Sequence, residues 1–316
     1  MSSKKIITVF GATGAQGGGL ARAILNDANG GFVARAVTRD INSDKAKALA
    51  SLGAEVVAGD VDDQASVDKA LDGAYGAYFV TFFWNHFSPE LELVQAKTFA
   101  DAAKKAGLQH AIWSTLEDVR EFVPLHDDTM PTLREKYKVP HFDAKGEGNK
   151  FFIEAGIPTT FIYPSFYWEN FIYFGSGPKK GTDGKLQLTL PIGDAKMGGI
   201  ASGDIGKCAY GIFKKGKELV GKKIGLAGDQ LTGQEMADAL SKALGQPVAY
   251  NKIPASVYRS FGFPGADDLG NMFQFYTDFE DQVNSLRDIE RSKQLNPDLQ
   301  SFDQWLRKNA AKIPLD

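Results

Sequence analysis

The sequence contains one cysteine, Cys208, in 316 residues. A single thiol excludes an internal disulfide and any cysteine-based metal cluster, and it fits a reducing compartment. Histidine is almost as scarce: His86, His110, His126 and His141 stand at no metal-ligand spacing, so no metal site is expected. No run approaches the roughly 20 apolar residues of a membrane span. Met1 to Lys5 lacks the apolar core and cleavage site of a secretory signal, and the expected location is the cytoplasm. Neither charge is in excess: 36 Lys and Arg face 39 Asp and Glu, a formal net charge of -3. That balance excludes electrostatic attachment to nucleic acid or anionic lipid. There is no internal repeat or low-complexity tract, which excludes array architectures. The Gly-x-Ser-x-Gly elbow of serine hydrolases is missing too. A chain this long, 43% hydrophobic and 24% charged, is expected to fold as one large or two modest domains.

What is present is a rhythm. Strand-like runs at Ile6–Phe10, Phe32–Thr38, Glu55–Ala58, Ala74–Val80, His110–Ser114 and Thr159–Tyr163 alternate with helical patterns. Those patterns cover Ala15–Leu25, Lys45–Leu52, Ala65–Leu71, about Glu90–Ala106 and about Phe142–Ala155. This alternation implies βαβ units with right-handed crossovers: an α/β fold with a doubly wound parallel sheet of Rossmann type. After Pro164 the rhythm breaks. A strand at Leu186–Leu190, a helix at Asp204–Lys214 and a strand at Lys223–Ala227 follow. A capping box at Thr232 and Glu235 opens a helix to about Leu244, and a polar helix near Asp303–Ala311 closes the chain. The expected division is a dinucleotide-binding domain over 1–165, to which 203–228 returns. A smaller α+β C-terminal domain for substrate or partner takes 166–202 and 229–316.

Gly11-Ala-Thr13-Gly14-Ala15-Gln16-Gly17 lies between the first strand and the first helix. Gly11 permits the tight turn, Gly14 lets backbone approach a pyrophosphate, and Gly17 lets helix and strand pack closely. The helix N-terminal amides then hold the phosphates. Arg39, 22 residues past Gly17 at the end of the second strand, offers donors to an adenosine 2′-phosphate and so favours NADP(H) over NAD(H). Asp40 could instead turn inward, or Arg39 could be a solvated loop charge. Asp60 ends the third strand, placed either to cradle the adenine or to cap the next helix. Thr81, Phe82 and Phe83 end the fourth strand, at the rim expected for the nicotinamide ribose.

The Gly-x-x-Gly-x-x-Gly spacing is similar to that of extended and atypical short-chain dehydrogenase/reductases. Over essentially its whole length the sequence resembles the NmrA-like family, and within it the NADP(H)-responsive redox sensors. The segments carrying the resemblance are Val9 to Gly18, Gly53 to Asp60, His141 to Glu147, Tyr167 to Asn170 and Gly262 to Phe273. The resemblance implies NADP(H) binding by Gly11 to Gln16, Arg39, Asp60, Gln64, Thr81 to Phe83, Lys145, Tyr167, Trp168, Glu169 and Asn170. The sequence departs from the family after Arg39, where Ile41, Asn42 and Ser43 replace basic residues, and at Val94, where the family has a helical lysine.

Short-chain reductases place Tyr-x-x-x-Lys on one helix face, the lysine holding the nicotinamide ribose and the tyrosine supplying a proton. Here the spacing is His141-x-x-x-Lys145. Lys145 is expected to contact cofactor. His141 is either a proton donor or a residue that caps or packs the helix start. Ser114, after the fifth strand, is either the assisting serine or a strand-end hydroxyl bonded to backbone. Aromatics gather at 75–87 (seven) and 161–174 (eight), together 15 of the chain's 36. Phe82, Phe83, Trp84, Phe166, Tyr167 and Trp168 could wall a flat apolar pocket or pack between the domains. Two functions follow: an NADP(H)-binding redox-responsive regulator with a protein partner, or an NADPH-dependent reductase of quinones or other planar aromatics. Either would work as a monomer or homodimer. Residues 117–140 form an irregular polar insert that could be a flap gated by the cofactor.

Overall fold

A helix between two strands carries the chain across the sheet, so each new strand joins the sheet in parallel through a crossover. A computed structural model describes residues 4–181 and 183–315. The chain runs β1 (Lys5–Val9), α1 (Ala15–Asn26), β2 (Phe32–Thr38), α2 (Asp44–Ser51), β3 (Glu55–Ala58), α3 (Gln64–Leu71), β4 (Gly76–Phe79), α4 (Pro89–Ala106), β5 (His110–Ser114), α5 (Pro140–Glu154) and β6 (Thr159–Pro164). It continues through β7 (Phe166–Tyr167), α6 (Asn170–Tyr173), β8 (Lys179–Lys180), β9 (Leu186–Leu190), β10 (Met197–Ile200), α7 (Ser202–Lys215), β11 (Lys223–Leu226), β12 (Asp229–Leu231), α8 (Gly233–Leu244) and β13 (Val248–Lys252). The last helices are α9 (Ala255–Arg259), α10 (Ala266–Asp278), α11 (Glu280–Leu286), α12 (Ile289–Leu295) and α13 (Phe302–Asn309).

Seven strands form one sheet in the order β11-β6-β5-β4-β1-β2-β3, every pairing parallel. One face packs Ile7, Val9, Leu20, Ile24, Ile205 and Phe213. The other packs Phe10, Phe79, Phe99, Trp113 and Phe152. Burial on both faces explains why the strands read as continuous apolar runs. The strand order reverses between β1 and β4, and the crevice for a ligand in such a sheet opens outside the strand ends at that point.

Two three-stranded sheets, β12-β10-β7 and β13-β9-β8, belong to a C-terminal region whose core includes Phe166, Trp168, Leu188, Met236, Phe273 and Trp305. The mixed stretch from Gln246 resolves into β13 and the helices α9 to α12. The brevity of α9, α11 and α12 hid them, since five to seven residues carry about two turns of helical period or fewer and burial must do the rest; α10, at 13 residues, is long enough to carry a period of its own. Among the described residues no helix is long and apolar enough to cross a membrane.

Candidate functional site

Gly11 leaves β1 with φ of 65°, a left-handed conformation that favours glycine. A Cβ on Gly17 would lie 2.5 Å from the Gly11 carbonyl oxygen, so only glycine lets α1 start this close to β1. Gly14 caps α1 with no side chain bonded to the helix end, and the first turn holds no acidic residue. The amides of Ala15, Gln16 and Gly17 have no partner among the described residues. An uncapped helix N-terminus with glycine at its approach is an anion site. The turn abuts β4, since a Cβ on Gly11 would touch Val80 at 3.1 Å. These features fit the pyrophosphate of a dinucleotide, with Thr13 half-buried and Gly14 and Ala15 exposed beside it.

Arg39 stands exposed where β2 ends. Asp40 does not turn inward; its carboxylate accepts the Asn42 amide at 2.8 Å and closes its own loop. Ser43 caps α2 through the amide of Ala46. Asp60 does not cap α3, a role taken by Asp63; its carboxylate accepts the Asp62 amide at 3.1 Å. Gln64 is engaged on the helix surface with Asp68 at 2.9 Å and the Thr98 carbonyl. Val94 lies 59% exposed on α4.

At the nicotinamide end, the side chain of Gln16 is a hub. Its carbonyl accepts the hydroxyls of Tyr78 and, at 2.8 Å, Ser114, while its amide donates to the Tyr167 hydroxyl. Ser114 is thus bonded to a side chain, not to backbone. Burial pushes the phenols of Tyr78 and Tyr167 up, so both remain protonated donors. Lys145 is no solvated helical lysine: its ammonium reaches the Thr81 carbonyl at 3.2 Å, the Thr81 hydroxyl at 2.5 Å and the carboxylate of Glu92. Glu92, on α4, is fully buried.

One turn earlier on α5, Val139 is the N-cap and Pro140 the first residue, so His141 does not cap the helix. Its Nδ1 meets Asp268 on α10 at 2.5 Å, and the same carboxylate accepts the His141 amide at 3.1 Å. Its Nε2 has no hydrogen-bond partner among the described residues. The ring packs on Trp84 (4.7 Å between centroids) and Phe83 (5.8 Å), and Phe82 beside them is 58% exposed. This arrangement can hold a proton above an aromatic wall.

The second aromatic cluster does not complete that wall. Phe166 packs on Phe171 and Phe273, and Trp168 on Phe302 and Trp305. Glu169 accepts the Ser202 amide and the Trp305 indole, and Asn170 opens α6. Trp168 and Glu169 therefore tie β7 to the C-terminal core because their large or polar side chains find partners there. Tyr167 alone of that segment reaches the Gln16 hub.

Glu92, Asp268 and Tyr78 were not singled out from the sequence. Glu92 reads as an ordinary acid in the first turn of a helix, and Asp268 lies 127 residues from its partner. The sequence signal near it is the Gly262 to Phe273 segment that carries part of the family resemblance. The 117–140 insert is pinned: Asn271 donates to the carbonyls of Pro131 and Lys138, and Lys138 to those of Asp127 and Met130. A polar groove of about 840 Å³ lies elsewhere, between β12, α11 and α12.

A model of the NmrA-like family matches residues 3–306. An NmrA-like family domain-containing oxidoreductase of Aspergillus flavus is 26% identical over 291 residues, covering 87% of this chain and 84% of that one. Among solved structures, NmrA, a negative transcriptional regulator in complex with NADP, superposes with a TM-score of 0.79 at 23% identity over 98% of this chain and 96% of that one. The Citrobacter triphenylmethane reductase complexed with NADP(H) gives 0.73 at 19% identity over 97% and 99%.

Proposed function

We propose that this chain, which belongs to the NmrA-like family, binds NADP(H) on the glycine turn of α1 and serves as a redox-responsive regulator. The observation that carries this reading is the uncapped N-terminus of α1, with three amides unpartnered among the described residues, next to a glycine turn that abuts Val80. Arg39 would hold the 2′-phosphate, and Thr81, Ser114, Lys145 and Tyr167 would surround the nicotinamide riboside. Asp60 would take the adenosine. No tyrosine stands one turn before Lys145, so the proton-donating machinery of a typical reductase is altered while the cofactor site is whole. The related fold in NmrA, a negative transcriptional regulator solved with NADP, supports the same reading. On it, residues 1–165 with 203–228 bind cofactor, and the C-terminal region, bolted to α5 through Asp268, carries the response to a protein partner. The chain would act in the cytoplasm as monomer or homodimer.

Calorimetry with NADPH and NADP+, together with size-exclusion chromatography of each complex, tests this. Binding of both forms with a change in shape, association or protease sensitivity is expected; absence of binding contradicts it.

A second reading has its own observation: His141, backed by Asp268, packs on Trp84, two residues along the chain from the exposed Phe82. A bound dihydronicotinamide supplies hydride, and His141 would hold the proton for a quinone or other planar aromatic stacked on Trp84. Turnover of NADPH absorbance with a quinone panel, abolished by Lys145→Ala, is the result this reading requires. Tight binding of NADPH with no turnover would exclude it.

A further inference from the structure

An ammonium has three hydrogens to donate, and Lys145 directs all of them into the protein: two to Thr81 and one to Glu92. The carboxylate it meets is sealed from solvent, and the lysine side chain is only 11% exposed. Glu92 collects a second donor in the Thr81 hydroxyl. Its other oxygen faces Nε2 of His86 at 3.5 Å. The Ser88 amide donates to Nδ1 of His86 at 3.0 Å, while Nε2 and the Glu92 oxygen it faces have no hydrogen-bond partner among the described residues. Burial alone would push Glu92 up; Lys145, His86 and Thr81 together bring it down to about 2. Two opposite charges thus sit side by side just past the end of β4, at the reversal in strand order, where solvent does little to screen them.

We propose that the Lys145–Glu92 pair sets which redox form of the nicotinamide dinucleotide this protein prefers, with Glu92 holding the lysine charge in balance. The inference rests on NADP(H) binding as proposed above. The oxidised nicotinamide ring is a cation, the reduced ring is neutral, and the two molecules are otherwise alike. Only charges near the ring can therefore separate their affinities, and buried charges act most strongly. Lys145 alone would repel the oxidised ring; Glu92 alone would attract it. As a pair they cancel, which leaves the site responsive to the ratio of the two forms instead of committed to one. The neutral pair also explains why Lys145 need not serve as the activating cation of a reductase. Glu92 acts by its charge beside Lys145 and takes no part in the chemistry of the ring.

The test is the ratio of two dissociation constants, Kd for NADP+ over Kd for NADPH, measured by calorimetry on the full chain. Glu92→Gln is expected to raise that ratio roughly tenfold and Lys145→Met to lower it roughly tenfold. The double variant, which carries no unpaired charge, is expected to return within about threefold of the original ratio. A pair that mattered only for folding would weaken both forms alike and leave the ratio unmoved in every variant, and that result overturns the proposal. Where Glu92→Gln does not fold, Glu92→Asp, which withdraws the carboxylate from the ammonium by one methylene, must shift the ratio in the same direction by a smaller factor. If the unaltered protein binds neither form, the cofactor reading itself fails, an outcome distinct from an unchanged ratio.

Discussion

His141 and Asp268 meet at 2.5 Å between imidazole and carboxylate although 127 residues separate them, and the same carboxylate takes the His141 amide at 3.1 Å. This double contact fastens α10 to the first turn of α5, one turn from the lysine that grips Thr81. Both residues are buried, so neither bond is replaced by water when its partner is removed. Asp268→Ala is expected to cost about 3 kcal/mol in urea unfolding, as for loss of a buried hydrogen bond to a charged group together with a weaker one. Asp268→Asn, which keeps an acceptor for the amide, should cost about half of that. An alanine variant within about 0.5 kcal/mol of the original protein would show that the contact holds nothing together.

Arg39 is exposed and Asp40 is occupied with its own turn, which leaves the guanidinium as the group that meets a 2′-phosphate. Arg39→Ala should weaken NADPH binding by about 10- to 100-fold, the range of a charge-assisted bidentate contact, and leave NADH binding unchanged. Equal losses for the two cofactors would place the arginine elsewhere.

Acid should remove two stabilising contributions, those of His110 and Glu92, while adding one. Burial raises Asp143 from 3.8 to about 7, and its protonation favours the folded chain as pH falls through that range. His110 is buried against Thr160, and burial lowers it from 6.5 to about 4. The unfolded chain therefore takes up this proton first, and about 3 kcal/mol of stability is lost as pH falls from about 6.5 to 4. Glu92 is lowered from 4.5 to about 2, so its contribution, of similar size, is present above pH 4.5 and disappears between about 4.5 and 2. Urea midpoints across this range should lose the upper step in His110→Gln and the lower one in Glu92→Gln. Curves that keep both steps in both variants would assign them to other groups.

The insert of residues 117–140 hangs on Asn271, a fully buried residue whose amide group satisfies two carbonyls of the insert. Asn271→Ala leaves both carbonyls unpaired and should raise proteolysis within 124–136 by about tenfold, the response of a segment that opens locally. Unchanged cleavage would mean that other contacts carry the insert.

Much of the sheet was legible because each of its strands is a run of apolar residues closed by a glycine or polar turn, and the helices between them keep a 3.6-residue period over two turns or more. The glycine turn was legible for the same local reason. The partners of the site residues were not. Glu92 looks like any acid near a helix N-terminus until α5 brings Lys145 against it, and nothing near His141 announces Asp268. Trp168 and Tyr167 are adjacent in sequence, yet one enters the C-terminal core and the other joins Gln16. Tyr167 ends β7 and Trp168 begins the turn after it, and aromatic content alone cannot say which of the two meets the ligand. The short helices after Gln246 depend on burial, Tyr258 of α9 against Phe273, Val283 of α11 in the C-terminal core and Leu295 of α12 with the residues of α7, a tertiary effect that local pattern does not encode.

Gly14 offers the most direct test of the central claim, that a dinucleotide rests on the amides that open α1. Its backbone angles, φ of -91° and ψ of -170°, suit any residue, and a Cβ there would meet only the Gly11 carbonyl at 3.2 Å. Gly14→Leu should therefore keep the fold while its side chain covers the phosphate site. NADPH affinity measured by calorimetry on both proteins should fall at least about 100-fold in the variant, with thermal unfolding in the absence of cofactor little changed. NADPH bound equally well by both would contradict the account.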